Sequence, residues 1–60
     1  MTYQELRRVL DRLADDKADG QDVGDRLDAV DAAMVEAWGE LTHDQSRDLF
    51  ARVKALRDQQ

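Results

Sequence analysis

Sixty residues suffice for one domain at most, and a chain of this length buries only about 60% of the surface its unfolded form exposes. There is no cysteine to form a disulfide, and one histidine cannot build a structural zinc site. A formal net charge of −5 and a pI near 4.6 exclude a direct phosphate-backbone binder, which needs a basic footprint, and disfavour contact with anionic membranes.

Thr2 followed by Glu5 is a Thr-x-x-Glu capping box, so a first helix is expected from about residue 3. Leu6, Val9, Leu10, Leu13 and Ala14 form its apolar stripe. Arg7, Arg8, Asp11, Arg12 and Asp15 form a solvated side whose charges pair at three- and four-residue spacings. The turn is expected over Lys17 to Gln21, with Gly20 as the left-handed residue past the helix end.

The longest stripe follows. Val23, Leu27, Val30, Met34, Ala37 and Leu41 recur at alternating steps of four and three, which makes one continuous apolar face on a second helix. Asp22 with Asp25 three residues on is a candidate cap, with a start delayed to Asp25 by Gly24 as the alternative. Asp22, Asp25, Asp28, Glu36 and Glu40 lie opposite the stripe, while Arg26 stands at its border. Ala29, Ala33 and Ala37 form a row of small residues, read first as good helix propensity and second as a close helix contact. Val35 falls on the other flank and Trp38 at the stripe's edge.

Gly39 interrupts the second helix near its end, and Thr42 with Gln45 is a second capping box that opens a third. Leu49, Phe50, Val53 and Leu56 supply its stripe, and Arg57 near the C-terminal end suits the helix dipole. The expectation is an all-α fold, a single helical domain over 1–60 with three antiparallel helices at about 3–18, 23–38 and 43–58. The alternative is a helical hairpin completed by dimerisation, with the third helix donated to another subunit.

Function is less legible. Asp recurs at 16, 19, 22, 25, 28 and 31, but a three-residue step turns by about 60° against a 3.6-residue helix, so the series sweeps round helix 2 rather than marking one face. Solubility and favourable charge at a helix N-terminus explain it first. The sharper reading makes the acidic face, Asp22, Asp25, Asp28, Asp31, Glu36 and Glu40, a partner-binding surface that stands in for phosphates and blocks a DNA- or RNA-binding protein, as a phage-type inhibitor does.

Other chemistries fail on their spacing. Asp15, Asp19 and Gly20 fit part of a calcium loop, but Lys17 and Arg26 occupy positions that need oxygen ligands. His43, Asp44, Ser46 and Asp48 are neighbours on one turn, where they are expected to point outward rather than converge as catalysis demands. A helix-turn-helix drawn through Trp38 to Leu41 would present His43, Asp44, Gln45 and Asp48 to a phosphate-walled groove, which their charge forbids.

The preferred reading is therefore a non-catalytic protein–protein interaction module, a small acidic adaptor or regulator, with the nucleic-acid mimic as the alternative. No cofactor or metal is expected. The expected partner is another protein, one with a basic surface if the acidic face is used, with no direct nucleic-acid or membrane contact. Low burial without a staple also argues for a homo-oligomer, with Val35, Trp38 and Phe50 nearest the self-association contact. The chain shows no charged-then-apolar leader and no apolar run approaching 18 residues, so a cytoplasmic location is expected.

Overall fold

Thr2 accepts the amide of Glu5 on its Oγ1 at 3.2 Å and so opens the first helix where the capping box places it. In this computed structural model, which describes residues 2–58, α1 runs Tyr3–Ala18. It ends in a Schellman motif: the amide of Gly20 donates to Lys17 O at 2.9 Å and that of Gln21 to Asp16 O at 3.0 Å. Gly20 adopts φ +90°, the left-handed conformation its position requires.

Helix α2 spans Gly24–Glu36. Its cap differs in detail from the expectation. Val23 occupies the capping position without a side-chain bond, while Asp22 Oδ1 accepts the Gly24 amide at 2.9 Å from one residue further out. Gly24 therefore begins the helix instead of delaying it. The C-terminal end is shorter than expected, since regular helix stops at Glu36 and not at residue 38. The chain tightens into a 3₁₀ turn over Trp38–Glu40, held by Glu40 N to Ala37 O at 2.9 Å and Leu41 N to Trp38 O at 3.3 Å. Gly39, poor in helix propensity, sits in that turn, and Leu41 leaves it extended. The Thr42 box then closes in both directions, Gln45 N to Thr42 Oγ1 at 3.1 Å and Thr42 N to Gln45 Oε1 at 3.0 Å, and α3 runs His43–Asp58.

The three helices pack pairwise into an antiparallel bundle 33 × 16 × 16 Å, so α3 is supplied within the chain and the hairpin alternative is not the architecture found. The core is Leu6, Leu10 and Leu13 from α1, Val23, Leu27, Val30, Met34 and Ala37 from the second stripe, and Leu49, Val53 and Leu56 from α3. Tyr3, Val9, Ala33 and Leu41 pack against it half-buried. Ala14 and Phe50, expected in stripes, are exposed, because each lies about 100° round its helix from the buried leucine before it. Ser46 is buried in place of an apolar residue, one turn before Leu49.

Ion pairs and a hydrogen bond knit the helices outside this core. Arg26 reaches back from α2 to Asp16 at 2.6 Å, Arg52 joins α3 to Asp11 at 3.0 Å, and Lys17 donates to the Leu56 carbonyl. Among the described residues no helix is long and apolar enough to cross a membrane.

Candidate functional site

The six acidic residues of the candidate partner surface do not share one environment. Asp22 is engaged in capping. Asp28 and Asp31, one turn apart on α2, both accept Nη2 of Arg57, at 2.9 and 2.6 Å. These two carboxylates hold the Arg57 guanidinium above its usual pKa, the Asp28 hydrogen bond contributing most. Among the described residues Asp25, Glu36 and Glu40 make no ion pair, and all three are exposed. By helical rotation Asp25 and Glu36 lie on the outward back of α2, whereas Asp28 and Asp31 lie on its flank toward α3.

That same flank carries the apolar residues. Val35, Trp38 and Phe50 are the large hydrophobic side chains left exposed among the described residues, at 71%, 49% and 48%. Trp38 and Phe50 meet edge to face, with ring centroids 5.6 Å apart and planes at 62°. The contact bridges the 3₁₀ turn and the middle of α3, so Phe50 is level with Trp38 as Arg57 is level with Asp28 and Asp31. The α2–α3 side of the bundle thus presents an aromatic pair at one end and an Arg–Asp clamp at the other.

Around the start of α3 the structure disperses the groups that lie together in the sequence. Ser46 faces the core. Asp48 turns toward α1, where the Tyr3 hydroxyl donates to its Oδ2 at 2.6 Å and Arg52 pairs with it at 3.2 Å. The expectation that all four residues of this turn point outward fails for these two, since α3 buries its 46, 49, 53, 56 stripe and brings residue 48 alongside α1. The Tyr3 hydrogen bond, seconded by the Arg52 charge, lowers the Asp48 pKa, and the same bond raises that of Tyr3. Arg7 lies 5.9 Å from the Tyr3 ring centroid, in cation–π range.

The surface depressions add little chemistry. One of about 400 Å³ is lined by Thr2, Tyr3, Gln4, Glu40 and Gln45. A fully apolar one of about 180 Å³ lies between α1 and α2, where Val9, Ala29 and Ala33 leave a shallow gap. Among the described residues no three His, Cys, Asp or Glu side chains cluster to hold a metal ion. Sequence reasoning missed the Tyr3–Asp48 bond and the Arg57 clamp. Neither has a local signature, because each links residues 26 to 45 positions apart.

Comparison with protein families, curated proteins and solved structures finds no match to this chain.

Proposed function

We propose that the protein is a non-catalytic protein-interaction module that engages its partner through the α2–α3 side of the bundle. The observation that carries this reading is the Trp38–Phe50 pair. Two aromatic rings in mutual contact, each half-exposed and flanked by an exposed Val35, form the kind of anchor that dominates protein interfaces. A small domain gains nothing in stability by leaving such area in water, so a partner that covers it supplies the reason for its placement.

The mimic reading is the weaker of the two on charge. Arg57 offsets one of the two charges of Asp28 and Asp31, and the unpaired Asp25 and Glu36 lie on the back of helix 2 instead of beside them, so the acids trace no single row like a phosphate backbone. Capture from a cell extract with the wild type, Trp38→Ala, and a variant carrying Asp25→Asn, Asp28→Asn and Glu36→Gln tests the choice. Partners lost with Trp38→Ala and kept by the charge variant support the apolar contact. The opposite pattern, with binding that weakens steeply as salt rises, overturns it in favour of the mimic.

A further inference from the structure

We propose that the α2–α3 side is covered by a second copy of this chain, related to the first by a two-fold axis running parallel to the helices. The inference rests on the interaction-module reading and names its partner. Charge selects it. Along α3 this side shows Arg47, Phe50, Lys54 and Arg57, since Arg47 lies three residues before Phe50 and Lys54 four after. Arg47 and Lys54 are exposed and make no ion pair among the described residues. Along α2 and the 3₁₀ turn the row is Asp28, Asp31, Val35 and Trp38, while Glu40 lies by Thr2, Tyr3, Gln4 and Gln45 at the α1–α3 end. The surface is therefore divided lengthwise into an acidic row and a basic row, each with an apolar contribution.

The level of each residue follows from the observed contacts. With Trp38 beside Phe50 and Asp28 and Asp31 beside Arg57, antiparallel helices place Lys54 level with the Asp31 to Val35 turn. A two-fold axis parallel to the helices preserves every level and exchanges the rows, laying α3 of one copy over α2 of the other. Lys54 then meets Asp31 of the second copy. Arg57 meets Asp28 of the second copy, a side chain still 71% exposed beside its own arginine. Each Phe50 faces the opposite Trp38, and the two aromatic pairs become one cluster.

The competing two-fold, perpendicular to the helices, stacks α2 on α2 and α3 on α3, so that like charges oppose along both rows. A partner of one charge sign matches one row and is repelled by the other. The area is also adequate. A standard interface hides about 800 Å² per partner, and one long side of a 33 × 16 × 16 Å body amounts to about a fifth of this molecule's 4270 Å².

Sedimentation of the full chain from about 1 to about 500 µM tests the proposal. The expected mass rises from 6.9 kDa toward twice that value. Two charge-reversed variants, Lys54→Glu and Asp31→Lys, should each self-associate more than tenfold more weakly, and their equimolar mixture should recover a heterodimer. Weakening of each variant alone is specific to row exchange, because the perpendicular axis sets each row against the same row of the other copy, where reversal of one row leaves like charges opposed as before.

Trp38 is the sole tryptophan, so wild-type emission should shift to the red on dilution over the same range, a readout that survives if a variant fails to fold. A helical monomer at the highest concentration, emission constant on dilution, or folded variants that dimerise unchanged or fail to recover on mixing would each overturn the proposal. In the first case the interaction-module reading stands if Trp38→Ala still loses partners from extract, and falls with the dimer if it does not.

Discussion

Truncation of Trp38 separates the two demands placed on the α2–α3 corner, packing and recognition. A fully buried Trp or Phe changed to Ala costs about 3–5 kcal/mol. Trp38 is 49% exposed, so about half of that, roughly 1.5–2.5 kcal/mol, is the expected loss for Trp38→Ala. The edge-to-face contact with Phe50 should account for about 0.5–1.5 kcal/mol of it. Sixty residues carry a total stability of about 3–9 kcal/mol, so the variant should fold, with a Tm lower by about 6–20 °C. Thermal and urea unfolding followed by far-UV circular dichroism, applied to Trp38→Ala, Phe50→Ala and the double variant, gives both the loss and the coupling. A coupling below about 0.3 kcal/mol would mean that the rings do not pack as described, and a loss above about 3 kcal/mol that Trp38 is a core residue. Val35→Asp supplies the complement. At 71% exposure it should change stability by no more than about 0.5 kcal/mol, yet weaken association by more than tenfold.

Three further outcomes are expected. Leu27→Ala empties a fully buried position at the centre of the bundle, and a loss of about 2–5 kcal/mol in a domain this small should leave a large unfolded fraction at 37 °C, read by the same dichroism. Tyr3→Phe removes the bond that lowers Asp48 from its ordinary 3.8 and raises Tyr3 from its ordinary 10.0. The first contribution is present above the unfolded Asp value and lost as pH falls through the lower folded one, and the second is present below the unfolded Tyr value and lost as pH rises through the higher folded one. The stability gap between wild type and Tyr3→Phe should therefore be flat from about pH 5 to 9 and close at both extremes; a gap that persists in acid and alkali would rule the bond out. The combined Asp25→Asn, Asp28→Asn and Glu36→Gln variant should keep its helical spectrum, because Asp31 still holds Arg57 at 2.6 Å, and a collapse of the fold would show that these carboxylates are structural.

What could be read from the chain beforehand was what is encoded locally. The Thr2 and Thr42 caps and the Gly20 terminator each act over three to five residues, and the stripes need only the helical period. The end of α2 was misplaced because the run from Val23 to Leu41 keeps its period through a 3₁₀ turn, where Ala37 is still buried and Leu41 half-buried. Ser46 was missed because polarity outweighed its place in the 46, 49, 53, 56 stripe.

The interhelix contacts were illegible for a different reason. Periodicity orients each helix toward a core, but it does not say which neighbour stands on its left and which on its right. Arg26 and Arg57 both border buried stripes, yet only the packing order sends one to Asp16 of α1 and the other to Asp28 and Asp31 of α2. The same handedness decides the surface. Val35 and Trp38 stand out from sequence alone as apolar residues beyond or at the edge of their stripe, while Phe50 reads as part of the third stripe, and the lengthwise division into an acidic and a basic row exists only once the plus-charged flank of α3 is known to adjoin the Asp28 and Asp31 flank of α2. A mirror-image arrangement of the same three helices would bury the same leucines and leave Lys54 beside α1. The partner preference of this chain is therefore a property of the hand of its bundle, which no single stripe contains.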